Sequence, residues 1–187
     1  QMKKYIIFLF IFFFNINSHS SSNQKIINHF ENINSLQFKF TQRIDNNNIE
    51  KGECIILYPK KIFCKYYDVY NKILVSNGRS LVINSDKIPN HYRYPLDKTP
   101  LNFILDKNFL ISKMKEADDD KNYPFYYVFN FEHENNLIRV FFDKVSLDLM
   151  GWETKDIYQN LIQTFLSDIN INIEVEEKIF SLQKYIN

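Results

Sequence analysis

Ser35-Leu36-Gln37-Phe38-Lys39-Phe40-Thr41-Gln42 alternates apolar and polar residues, and this period of two places Leu36, Phe38 and Phe40 on one face of an extended strand. That face is suited to a core and the opposite face to water. The same habit continues on the C-terminal side. Ile49 to Tyr58 and Ile62 to Val69 read as strands joined through Pro59-Lys60-Lys61, because proline presets a turn and does not belong in a central strand. Asn77-Gly78, between Ile73-Leu74-Val75 and Leu81-Val82-Ile83, predicts a two-residue hairpin turn with positive φ at both centres. Phe125 to Phe131, Leu137 to Asp143, Leu147 to Met150, Trp152 to Tyr158 and Leu161 to Leu166 read as a further meander. Glu134-Asn135-Asn136, Gly151 and Gln159-Asn160 supply its turns. Ile169, Ile171, Ile173 and Val175 carry the alternation toward Phe180.

Two segments break the period. Ile26, Ile27, Phe30 and Ile33 recur at helical spacing between Ser22 and Ser35, which predicts an opening amphipathic helix. Pro89, Pro95 and Pro100 interrupt the middle of the chain, and no sheet is expected among them. Thr99-Pro100 followed by Leu101, Ile104 and Leu105 predicts a short helix, with Thr99 as its cap and Pro100 at its first position. The expected fold is mainly β with helices (α+β). A long twisted antiparallel sheet must curl to hide its apolar face, and either helices or a ligand fill the concave side.

Composition bounds the function. The chain has 187 residues, 45% of them hydrophobic, which suits one globular domain. Phenylalanine and tyrosine number 18 and 12 against 3 glycines, so phosphate-cradling glycine loops are not expected. Lys3-Lys4, the apolar run Tyr5 to Phe14 and Ser18-His19-Ser20 together resemble a secretory signal peptide. A run of about ten residues is too short to span a bilayer, which takes about 20. Residues 1–20 are therefore expected to be removed, leaving residues 21–187 as the mature domain. Loss of Lys3 and Lys4 takes the formal charge from +1 to −1. A nearly neutral chain with both signs interspersed lacks the basic face that nucleic acid demands, so no nucleic-acid partner is expected.

No catalytic signature stands out. His19, His29, His91 and His133 share no metal-ligand spacing with Cys54 and Cys64, and His133 falls in a polar turn where it reads as solvated. Asp118-Asp119-Asp120 lacks the glycine of a tight calcium loop and reads as a solvated acidic loop. No nucleophile elbow or dinucleotide fingerprint is present, and neither an enzyme nor a metal site is expected.

In order along the chain stand Ser35 to Gln42, then Gly52 and Pro59, then Ile73-Leu74-Val75-Ser76-Asn77-Gly78, and past the prolines Tyr94-Pro95-Leu96 and Thr99-Pro100-Leu101. This succession resembles the LolA family, the periplasmic carriers of outer-membrane lipoproteins. The resemblance implies a strongly curved, unclosed half-barrel of about eleven antiparallel strands with a helical lid. It implies a chaperone that holds lipoprotein acyl chains in an apolar cavity, takes them from an inner-membrane ATP-driven lipoprotein-releasing complex and passes them to an outer-membrane lipoprotein receptor. It implies the periplasm as the location, a monomer as the working form, and no cofactor. No cysteine stands immediately after Ser20, which separates this chain from the lipid-modified receptor.

The residues expected to meet lipid are Leu36, Phe38 and Phe40 on the first strand, Ile56 and Tyr58, Ile62, Cys64 and Tyr66 on the hairpin, and Leu101, Ile104 and Leu105 on the lid. The family has an arginine just before the hairpin proline that bonds lid carbonyls in the closed state. Tyr58 stands there instead and offers one donor where arginine offers five, so a weaker lid or different contacts are expected. Cys54 and Cys64 lie symmetrically about Pro59 and would face each other in a simple hairpin, either bridged or as two buried thiols. Two other readings stay open: a carrier of other envelope lipids, and a non-enzymatic envelope interaction module with a packed interior.

Overall fold

A computed structural model describes residues 22–45, 48–87, 89–117, 123–133, 136–156 and 158–186. The segment read as a signal peptide, the acidic run at 118–120, and Glu134 and Asn135 lie outside the described residues.

Helix α1 (Ser22–Glu31) opens the domain. Strands β1 (Ser35–Ile44), β2 (Asn48–Leu57), β3 (Lys61–Tyr66), β4 (Ile73–Asn77), β5 (Ser80–Asn84) and β6 (Tyr92–Pro95) follow. Helices α2 (Leu101–Leu105) and α3 (Lys107–Glu116) then precede β7 (Tyr126–His133), β8 (Asn136–Asp143), β9 (Leu149–Lys155) and β10 (Leu161–Ile171). The ten strands form one antiparallel sheet in the order β6-β5-β4-β3-β2-β1-β10-β9-β8-β7. Two meanders are thus joined by a single long-range pairing of β1 with β10, and β6 and β7 are its unpaired edges. The sheet is an unclosed, mainly β architecture with helices, as expected. Ten strands are seen among the described residues where about eleven were implied.

The differences have local causes. Gly151 is not a turn: β9 runs through it, because a Cβ there would come within 2.3 Å of the Thr164 carbonyl oxygen. Two expected strands therefore merge into one, and the irregularity appears in the β8 pairing between Phe141 and Phe142. Ile169 and Ile171 belong to β10, whereas Glu177–Phe180 forms a 3₁₀ turn. In the β4–β5 hairpin Gly78 alone takes positive φ, at 95°, and Gly78-Arg79 form the loop. Asn77 stands one place before the loop, where its Oδ1 accepts from the backbone N–H groups of Arg79 and Ser80, both at 3.0 Å. Strand β6 lies in the proline region, and its register pairs Pro95 with Ser80 at the outer edge of the sheet, where a missing N–H is tolerated. Thr99 does not cap α2; its hydroxyl donates back to the Leu96 carbonyl at 2.8 Å. Helix α3 extends the short lid that was foreseen and is capped by Asp106, whose carboxylate accepts from the Phe109 N–H at 3.1 Å.

The concave face carries the main core. Phe30 of α1 is fully buried and packs edge-on against Tyr58 at 5.7 Å and Phe142 of β8 at 5.6 Å, so the helix ties the two meanders together. A smaller cluster lies on the convex face, where Leu182 covers Val75 and Val82, and Tyr185 meets Phe63.

Candidate functional site

Alternation within the strands sends one set of side chains into the concavity, but the helices cover only part of it. Leu36, Phe38, Ile56, Ile104 and Leu105 are at most 1% exposed and pack in the core beside α1 and α2. Tyr58 joins them. Further along the same strands the concavity is open, as a cavity of about 300 Å³ with Phe40, Ile62, Leu74, Leu81, Leu101 and Trp152 in its wall. Cys64 and Tyr66 also line it. Five of the expected lipid contacts (Phe40, Ile62, Cys64, Tyr66 and Leu101) therefore stand at the cavity, while Leu36, Phe38, Ile56, Tyr58, Ile104 and Leu105 are packed away from it.

The wall is built by register. Phe40 pairs with Gly52, and Gly52 with Tyr66. The two rings meet edge-on at 5.1 Å above the glycine, where a Cβ would come within 2.7 Å of the Phe40 ring. Cys54 faces Cys64 across the β2–β3 hairpin, and a disulfide joins them with a Cα separation of 4.1 Å. Leu74 pairs with Cys64 and with Ile83, which places it on the wall next to the bridge. Leu74, Leu81 and Trp152 were missed in the sequence. Counting inward positions outward from Cys64 by antiparallel register would have found Leu74, whereas nothing local marks Trp152.

Polar groups gather at the open side. Gln42 donates to the Thr164 hydroxyl at 2.9 Å. Lys72 donates to both oxygens of Glu50 at 2.7 and 2.8 Å and lies 4.0 Å over the Tyr66 ring.

The lid is held without an arginine. The Tyr58 hydroxyl is buried and has no hydrogen-bond partner among the described residues. In its place the Lys60 N–H donates to the Leu105 carbonyl at 3.0 Å, and the Lys60 ammonium pairs with Asp106 at 3.1 Å. Lys107 donates to the Glu31 and Ile33 carbonyls, both at 3.0 Å, and so also closes the end of α1. His133 is half-buried and not a free surface group. It packs edge-on against Phe103 and Phe109, each at 5.0 Å, because β7 ends beneath the lid helices.

Burial raises the pKa of the Tyr58 phenol, and burial with the nearby Glu50 and Asp68 carboxylates raises that of Tyr66. Below about pH 10 both phenols are neutral in the folded and unfolded states and stability does not respond to them. Above it the unfolded chain releases these protons while the native chain keeps them, and stability falls by about 1.4 kcal/mol per pH unit for each. Ultraviolet titration is expected to show these two phenols ionising only as the protein unfolds. In Tyr58→Phe the alkaline loss of stability should be shallower; an unchanged slope would contradict the assignment.

Among the described residues no group of three His, Cys, Asp or Glu side chains is placed to hold a metal. What the site can do is bury hydrocarbon, at about 0.8 kcal/mol per methylene. An unclosed antiparallel half-barrel holding an apolar, polar-rimmed cavity beside a helical lid is a binding fold. The chain belongs to the LolA family, the outer membrane lipoprotein carrier proteins, whose family profile matches residues 31–183. This is a family of carriers, not of enzymes. No curated protein matches the chain. Among solved structures, an outer membrane lipoprotein-sorting protein domain from Vibrio parahaemolyticus shares the fold, with 11% identity, a TM-score of 0.50, and coverage of 86% of this chain and 97% of that one. A LolA superfamily protein from Nitrosomonas europaea matches with 10% identity and a TM-score of 0.48 over 87% of this chain and 98% of that one. The Pseudomonas aeruginosa MucA/MucB complex matches with 13% identity and a TM-score of 0.45 over 86% of this chain and 60% of that one.

Proposed function

We propose that this protein is a periplasmic carrier that takes lipoprotein acyl chains into the cavity beside α2 and delivers them from the inner membrane to an outer-membrane receptor. The observation that supports this is the division of the concave face. One part is packed by helices, while the other presents Phe40, Ile62, Leu74 and Leu101 around open space. A filled core has no need of such a space, and a chain released into water would cost about 0.8 kcal/mol per methylene. The polar contacts of the lid, the Lys60 backbone hydrogen bond, the Lys60–Asp106 pair and the Lys107 bonds to carbonyls, are of a kind that exchanges readily, while Ile104 and Leu105 seat α2 in the core. The working form is a monomer, and residues 1–20 direct its secretion. The membrane partners are an ATP-driven lipoprotein-releasing complex and a receptor lipoprotein.

The experiment is incubation of the mature protein with spheroplasts whose inner membrane carries unsorted lipoproteins. Lipoprotein is expected to appear in a soluble complex with the protein. Recovery of lipid alone would replace this function with carriage of other envelope lipids. That second reading has one observation in its favour: the cavity, at about 300 Å³, is small. Recovery of neither would leave an interaction module.

A further inference from the structure

A second concavity adjoins the cavity. It measures about 640 Å³ and is flanked by Tyr67, Tyr70 and Tyr92 with Lys51 and Lys87. The two spaces share Glu50, Tyr66, Lys72 and Ile83, so their common wall is the Lys72–Glu50 pair standing on the Tyr66 ring. Both members of the pair are 23% exposed, which puts a partly buried ion pair at the border between hydrocarbon and water. The β3–β4 turn that carries Lys72 is pinned by Asp68, whose carboxylate accepts from the backbone N–H groups of Tyr70 and Lys72 at 3.0 and 3.1 Å. Lys87 lies 5.3 Å over the Tyr70 ring. Lys51, Lys72 and Lys87 border the groove with Glu50, which is engaged by Lys72, and Asp68, which is engaged by the turn backbone, while the neighbouring Asp86 carboxylate accepts from the Asn71 amide at 2.6 Å. The three tyrosines are between 43% and 54% exposed, and such rings suit a boundary that is apolar on one side and wet on the other.

We infer that this groove is a head-group subsite for an anionic amphiphile, one whose acyl chain lies in the adjoining cavity and whose phosphate is held by Lys72 and Lys87. The inference rests on the cavity accepting an acyl chain. A chain filling the cavity brings its head to the shared wall. There a phosphate shares the Lys72 ammonium with the Glu50 carboxylate, so neither Lys72 nor Glu50 is left unpaired, and Lys87 offsets the added negative charge.

Calorimetric titration with three probes tests it: a lysophosphatidylglycerol, a monoacylglycerol of the same chain length, and glycerol phosphate. The lysophospholipid is expected to bind about tenfold more tightly than the uncharged monoacylglycerol, with the gap shrinking as salt is added. The gap should close in Lys72→Gln and in Lys87→Gln and widen in Glu50→Gln, which removes the carboxylate that shares Lys72. Equal binding of the two acyl probes would overturn the head-group subsite and leave the acyl cavity standing. Binding of neither would overturn both. Glycerol phosphate binding as tightly as the lysophospholipid would make the groove a site for free anions and overturn the amphiphile assignment.

Discussion

Leu74→Glu is expected to weaken binding of an uncharged monoacylglycerol by at least about 100-fold, close to 3 kcal/mol. Leu74 stands on the cavity wall between Cys64 and Ile83 and is only partly buried, so the sheet can accept the change while the cavity cannot. A carboxylate there retains water in the space that hydrocarbon must enter, and displacing that water leaves a charge without a partner. Trp152 is the only tryptophan in the chain and lies in the same wall, so its fluorescence reports occupancy without a label. Leu74→Met, which conserves volume and polarity, should bind as the parent does. If Leu74→Glu bound the chain undiminished, the hydrocarbon would not lie in this cavity.

Phe30→Ala is expected to cost about 3–5 kcal/mol, read as a shift of the denaturant midpoint at constant slope. The residue is fully buried and touches Tyr58 at one side of the concavity and Phe142 at the other, so little around it can collapse into the space left behind. Such a loss is a large share of the 5–15 kcal/mol typical of whole domains. A cost below about 1 kcal/mol would mean that α1 adds little to the union of the two meanders.

The strand faces were legible because period two is a local property. Leu36, Phe38 and Phe40 declare a common face within six residues, and the symmetry of Cys54 and Cys64 about Pro59 is enough to place them opposite each other. What a glycine does was less legible. Gly151 resembles a turn in sequence, yet it serves the close approach of β10 to β9, which depends on a chain segment thirteen residues away. His133 likewise sits among polar neighbours in the sequence, and only the return of the lid over the end of β7 brings Phe103 and Phe109 against it. The missing arginine was visible at Tyr58, but the groups that take over the lid, Lys60 and Lys107, carry no mark of that role, because each meets a carbonyl contributed by a different element.

The sequence by itself determined that the chain makes an amphipathic antiparallel sheet with helices, which residues face inward on the first strand and the hairpin that follows it, and the family to which the chain belongs. Only the tertiary structure decided how that inward face is shared. Phe38 and Phe40 are two residues apart on the same face of β1, yet one is sealed in the core and the other lines the cavity. Alternation sets the side of the sheet on which a side chain lies. What covers it is set by the reach of the helices packed across the concavity, which depends on contacts among residues distant in sequence.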